Sequence, residues 1–377
     1  MGKRLVLVGG GHAHLTVLLK LAEYVQRGHS ITLIGPSPYH YYSGMGPGLL
    51  SGIYRPQDVR FHVKKMAEDR GATFLQDKVI KIDPGQRILG LGSGNSLTYD
   101  VVSFNTGSDV PVNGLVAQPE ENIVPVKPVF NLLQAQRFIL SALREKQMNF
   151  IVVGGGPAGV EVTANLWRLL KENGGKATIK LIAGQKLLGS LPEKVRTLAF
   201  SSLAGRGIMV IEGNRVKEVA GNQILMADGS SHPFDVAFMA LGVRPSRLFR
   251  DSGIPTGPDG GLLVNSFLQS MAHPEMLGGG DCVSFAEQPL AKVGVYAVRQ
   301  NPILLHNLLA ALEGNEMKRF VPQREYMLIF NMGNGRGILW KKKFVWEGRL
   351  AFVLKDYIDR KFMRKFQVAG ESREEEE

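Results

Sequence analysis

The chain has 377 residues, a net charge of +11 and one cysteine, Cys282. That length provides for two or three domains with a large core, and one cysteine excludes an internal disulfide or a dithiol relay. Hydrophobic residues make up 44% and charged residues 21%, the balance of a soluble globular protein; with no signal peptide and no apolar run of roughly twenty residues, the expected location is cytoplasmic.

Arg4 to His14 opens the chain with an apolar run, Leu5 to Val8, that ends in Gly9-Gly10-Gly11. Leu15, Leu18, Leu19 and Ala22 follow at spacings of three and four, and Gly28 stands where a helix would stop. Ile31 to Ile34 is a second apolar run. Strand, tight turn, helix and strand make the βαβ unit that holds a dinucleotide. Gly9 allows the turn. Gly11 lets the backbone approach a pyrophosphate at the helix N-terminus, where free N–H groups and the dipole favour an anion. The third position, normally Gly or Ala for close packing, is His14. After Ile34 no acid is present to bond a ribose hydroxyl; Gly35-Pro36-Ser37 stand there, so the adenosine end must be held differently. Pro38 to Tyr54, with four glycines, two prolines and four tyrosines, reads as an aromatic loop placed to reach a bound ring system. Phe61 to Arg70 reads as helix and Thr73 to Leu75 as a short strand.

A pattern then occurs twice. Lys78-Val79, Ile82, Ile88-Leu89, Gly94 and Tyr99-Asp100-Val101 lead to Thr106-Gly107. Arg215-Val216, Val219, Ile224-Leu225, Gly229 and Phe234-Asp235-Val236 lead to Leu241-Gly242. Both read as strands and turns returning to a strand that ends in glycine. The second copy follows a second glycine turn: the Phe150–Val153 strand, then Gly154, Gly156 and Gly159 in a full G-x-G-x-x-G, with Pro157 in the first turn of the helix. Two such units, each with the same meander, predict two dinucleotide-binding domains. Again no acid follows the second strand; Lys186 in a neutral turn leaves both NADH and NADPH open.

Between Lys318 and Phe366 there are 13 basic and 4 acidic residues. No nucleic-acid reading motif accompanies them, so nucleic acid is not an expected partner. Tyr326 to Phe330 and Gly337 to Trp340 read as strands. Leu350, Val353, Leu354, Tyr357, Ile358, Phe362 and Phe366 then form one face of a basic helix. That helix suits an anionic membrane surface, or alternatively packing on the first domain or a dimer partner. Glu371 to Glu377 read as a disordered acidic tail. No metal-ligand spacing is present.

In the order of these motifs the chain resembles flavoproteins built from two dinucleotide-binding domains, over about Lys3 to Leu312. The resemblance implies an α/β fold: an FAD domain of residues 1–115 and 262–316, an NAD(P)H domain of 116–261 inserted into it, and a small C-terminal α+β segment, 317–377. Tyr39-His40 and Pro47 are similar to the flavin loop of type II NADH dehydrogenases. Gly9 to His12, Tyr42 to Met45 and Ala297 to Gln300 resemble the branch found alone or fused to selenophosphate synthase (selenide, water dikinase). The glutamine that begins the last helix in the dehydrogenases is replaced by Gly294-Val295. By resemblance, Gly279-Gly280-Asp281 holds the ribityl chain, and the helix from Lys292 to Leu312 points its N-terminus at the flavin pyrimidine. FAD contacts are then expected at Gly9, Gly11, His12, His14, Pro36 and Pro47, at Val79, Thr106 and Gly107, and at Gly280, Asp281 and Gln300. Nicotinamide contacts are expected at Gly154, Gly156, Gly159, Glu161 and Gly242. Glu161 reads equally as a side chain that bonds the nicotinamide carboxamide or relays a proton, or as a first-turn helix stabiliser. His40 and Lys292 read as flavin-bonding or proton-donating side chains beside a structural alternative. Cys282, next to Asp281, reads as buried packing.

The implied activity is an FAD-dependent NAD(P)H dehydrogenase, either cytoplasmic or peripheral on the inner face of the membrane, passing electrons to a quinone-like acceptor. The competing expectations are a soluble reductase of a selenium or sulfur compound or carrier protein, and a flavin-bearing regulatory protein with little turnover.

Overall fold

The apolar runs pair as two parallel five-stranded sheets. In the computed structural model, which describes residues 2–374 apart from 113, 117–119, 144–146, 175 and 324, the first sheet has the order Met276–Gly278, Val101–Phe104, Arg4–Val8, Ser30–Gly35, Thr73–Gln76. The second has the order Ile123–Pro125, Val236–Met239, Met148–Val153, Ala177–Ile182, Met209–Ile211. Leu5, Leu7, Phe104, Phe150 and Phe238 are fully buried, because a parallel sheet is covered by helices on both faces. The first sheet takes its edge strand, Met276–Gly278, from beyond the second sheet, so the second module is an insertion in the first.

The repeated pattern is a repeated structure. Val79–Asp83, Ile88–Leu91 and Ser96–Thr98 form one antiparallel meander, and Val216–Ala220, Gln223–Met226 and Ser231–Pro233 form the other. Each carries a register shift at the same place, between Val79 and Lys81 and between Val216 and Glu218.

Two expectations, on the loop before Tyr54 and on the acidic tail, need correction. Pro38 to Tyr54 is not a loop throughout: His40–Tyr41 is a short strand, Ser43–Met45 a 3₁₀ turn and Gly46–Leu50 an α-helix with Pro47 in its first turn. The C-terminal helix, Arg349–Phe366, leaves most of the expected apolar face outward and buries Phe366 of it together with Asp359 and Met363. It packs on an antiparallel sheet, Leu328–Asn331, Gly337–Lys341 and Phe344–Gly348, so closely that a Cβ at Gly337 would meet the backbone of Ala351 and Phe352. Ala351, Asp359, Met363 and Phe366 turn inward. Leu350, Val353, Leu354, Tyr357 and Ile358 remain exposed. No helix among the described residues is long and apolar enough to cross a membrane.

The tail is docked as far as Glu374. Glu371 is fully buried; its Oε1 accepts from His62 N at 3.0 Å and its Oε2 from Ala369 N at 3.0 Å. Glu374 pairs with Arg60 at 2.5 Å. Residues 375–377 lie outside the described residues.

Candidate active site

The two glycine turns are built by close backbone approach. Gly9 has φ +88° and a Cβ there would strike the carbonyl of Asn105; at Gly154, φ +130°, it would strike that of Ala240. At Gly156 the same construction meets open space. Asn105 joins the first turn to the Gly279–Asp281 turn: Oδ1 accepts from Ala13 N at 3.1 Å and Nδ2 donates to Gly279 O at 2.6 Å. Gln300 of the long helix, Gly294–Glu313, accepts from Gly280 N at 2.6 Å. His12 is buried here, and its Nε2 has no partner among the described residues. A buried polar atom without a partner is rare, and a polar ligand in this cradle would satisfy it. The residues present therefore fit a dinucleotide with its phosphates at the glycine turn.

The His14 side chain is taken up within the protein. It is fully buried, Nδ1 donates to Gly9 O at 2.6 Å, and Nε2 bonds Ser103 Oγ at 2.8 Å. The ring braces the turn against the neighbouring strand, the packing that a small third residue ordinarily permits. Burial pulls His14 down to about 4, so it is neutral at physiological pH. Lys292 is also occupied within the protein: Nζ pairs with Asp259 at 2.7 Å and donates to Val283 O at 2.5 Å. Cys282 is fully buried among carbonyl groups, and burial pushes its thiol up.

His40 lies against His12, with 3.2 Å between His40 Nε2 and His12 Nδ1. Burial pulls His12 down to about 4 and His40 to about 3, so both imidazoles are neutral donors and acceptors. Tyr42 stacks on Phe362 at 4.9 Å and lies 5.1 Å from the His12 ring. Its hydroxyl donates to Asp359 Oδ1 at 3.0 Å. Asp359 Oδ2 accepts from Lys355 Nζ at 2.7 Å, and the same Nζ donates to Gly44 O at 2.7 Å.

Glu161 reaches this group from the second module. Its helix, Pro157–Glu172, begins at the second glycine turn. Oε1 accepts from Asn331 N at 2.7 Å. Burial raises the carboxyl to about 7, opposed by the charge of Lys355 and the Asn331 amide. Lys355 and Asp359 were not singled out in the sequence. Their only signal there is a Lys–Asp pair four residues apart, which reads as a solvated pair. Among the other expected contacts, Pro36 is exposed after the second strand, Val79 begins the first meander, and Thr106 is exposed beside Gly107 at φ +74°. Gly242, φ +79°, follows the corresponding strand of the second module.

Residues 3–305 match the model of the pyridine nucleotide-disulphide oxidoreductases. The chain belongs to that family. It is therefore an oxidoreductase that uses FAD and NAD(P)H. Ferroptosis suppressor protein 1 of Taeniopygia guttata is 25% identical over 348 residues, covering 89% of this chain and 87% of that protein. Demethylphylloquinone reductase NdbB of Synechocystis is 24% identical over 356 residues, covering 89% and 87%. Among solved structures, NDH2 of Plasmodium falciparum superposes with TM-score 0.82 at 14% identity over 98% of both chains. The sulfide:quinone oxidoreductase of Aquifex aeolicus superposes with TM-score 0.78 at 19% identity, covering 98% of this chain and 92% of that one.

Proposed function

We propose that this oxidoreductase passes electrons from NAD(P)H through FAD to a quinone at a membrane surface. The observation that carries this reading is the Glu161 carboxyl, raised to about 7 and lying within the field of the Lys355–Asp359 ion pair of the C-terminal helix. Quinone reduction consumes protons, and an acid titrating near 7 beside a charge relay suits that task. FAD supplies the hydride acceptance and onward electron transfer when bound. The chain's residues do the rest. The Gly9–Gly11 turn, His12, the Gly280–Asp281 turn and Gln300 hold FAD within residues 1–115 and 262–316. The Gly154–Gly159 turn holds the nicotinamide nucleotide within 116–261. Tyr42 and Phe362 stack on each other beside the His12 ring. Two relatives named for quinone-linked or NAD(P)H-linked activity, NdbB and the internal alternative NAD(P)H-ubiquinone oxidoreductase of Arabidopsis thaliana, support the acceptor class. The likeness of Gly9 to His12, Tyr42 to Met45 and Ala297 to Gln300 to the selenophosphate-synthase branch is kept as a proposal of lineage.

The exposed apolar stripe from Phe344 to Ile358 supports a peripheral membrane position. Phe344, Trp346, Leu350, Val353, Leu354, Tyr357 and Ile358 are all exposed, between Lys341–Lys343 on one side and Lys361, Arg364 and Lys365 on the other. Apolar residues flanked by lysine and arginine suit an anionic bilayer. Anaerobic stopped-flow mixing tests the whole reading. NADH or NADPH should bleach the flavin, and a soluble quinone should restore its colour faster than selenite-derived species. A flavin that both nicotinamides leave oxidised defeats it.

A further inference from the structure

Lys127 belongs to the second module, between the Ile123–Pro125 strand and the Phe130–Ala142 helix. Its side chain nevertheless ends in the first. Nζ donates to Asp281 Oδ2 at 2.8 Å and to Ser108 Oγ at 3.1 Å, and Ser108 Oγ donates to the same Oδ2 at 2.8 Å. The Asp281 side chain is 14% exposed and that of Lys127 26%. Asp281 Oδ1 takes no hydrogen bond from the described residues, so one oxygen is fixed and the other is left without a donor among them. Asn105 ties this turn to the glycine turn of His12. The charge of Lys127 is felt at both His12 and His40, as is that of Asp281 at His12. One cation of the nicotinamide module therefore faces the carboxylate and the two imidazoles that surround the flavin cradle.

We propose that Lys127 is a flavin-positioning residue, by which the inserted module fixes the Asp281 carboxylate and sets the charge beside the flavin. The proposal rests on the reading of the Gly9–His12 and Gly280–Asp281 turns as the flavin site. Without the ammonium, Asp281 is a half-buried anion with no counter-charge. It swings out of register for a ribityl hydroxyl and repels the extra negative charge of a reduced flavin. A purely structural ion pair between modules would change melting temperature and leave the flavin's properties alone.

The test compares flavin-loaded wild type with Lys127→Met and Lys127→Arg, reading FAD dissociation by fluorescence and midpoint potential by dye equilibration. Lys127→Met should release FAD at least about tenfold more readily and shift the potential to more negative values. Lys127→Arg should retain most of both properties, and Asp281→Asn in the Lys127→Met background should recover part of the potential. Lys127→Met with wild-type FAD affinity and potential overturns the proposal, as does Lys127→Arg that falls as far as the methionine variant. Should Lys127→Met not fold, Lys127→Gln carries the same comparison. Wild type that takes up no flavin removes the functional reading itself, whereas a loaded enzyme insensitive at position 127 removes this proposal alone.

Discussion

At the scale of single residues, the protonation of Glu161 decides when the site can deliver a proton. Its carboxyl is raised from the ordinary glutamate range to about 7, chiefly by burial. Below that pH it is protonated and can donate; above it the donor is lost. Acceptor reduction should therefore slow as pH rises through about 7. Glu161→Gln keeps the shape and the bond from Asn331 N but does not titrate. It should reduce acceptor turnover by about a hundredfold and abolish the limb near 7, while flavin reduction by nicotinamide stays within about twofold. Because the raised pKa makes the folded carboxylate costly above about 7, the variant should melt no lower than wild type at pH 8. An unchanged pH profile in Glu161→Gln, measured with a soluble quinone, would remove the relay. Glu161 was legible in the sequence because it closes a glycine motif. Its partners were not, since Lys355 and Asp359 read as ordinary surface charges until the fold buries them. The local bonds of His14 are not announced by its place at the third glycine position: both of its nitrogens are taken by Gly9 and Ser103.

At the scale of elements, the C-terminal helix is the one whose partner the sequence leaves open. Its existence was readable from spacing alone. Its orientation was not, because the inward face is held by an ion pair, Lys355–Asp359, as well as by Met363 and Phe366. The apolar residues at the opposite side are left for another surface. Leu350 is 65% exposed and Val353 56%, so changing them disturbs little of the core. The double variant Leu350→Glu, Val353→Glu should stop the protein floating with phosphatidylglycerol vesicles in a density gradient. Flavin content and turnover of a soluble quinone should hold. Wild type that never floats, at low salt and with anionic lipid, would show the stripe to serve some other contact. The Gly46–Leu50 helix escaped notice for a different reason: glycine and proline at alternate positions signal a turn, but Pro47 suits a first helical turn. The meanders were legible because two copies of one spacing leave little room for chance.

At the scale of the whole molecule, the site exists only where three parts of the chain meet. Tyr42 and Gly44 come from the first module, Glu161 from the second, and Lys355 with Asp359 from the C-terminal helix. The two modules were visible in the sequence because each is announced locally by a glycine turn. The clamp that closes the third part was not, because it joins residues about three hundred positions apart. Gln367 donates to Gln57 O and Arg60 O, Glu371 holds the amide of His62, and Glu374 neutralises Arg60, which also lies 4.1 Å from the Tyr39 ring centroid. Arg60 is 8% exposed, and a buried charge stripped of its partner costs several kcal/mol. Ending the chain at Gln367 therefore removes the anions that seat the C-terminal helix on the first module. Melting should fall by about 5 °C or more, and proteolysis should cut within Arg349–Phe366. The pH limb near 7 should move towards the ordinary carboxylate range as water reaches Glu161. Glu371→Gln, which keeps the shape and removes the charge, should show a smaller shift in the same direction. A shortened chain that melts, resists protease and titrates like the full one would mean that the tail is a passenger, and that the packing of Met363 and Phe366 alone holds the helix over the site.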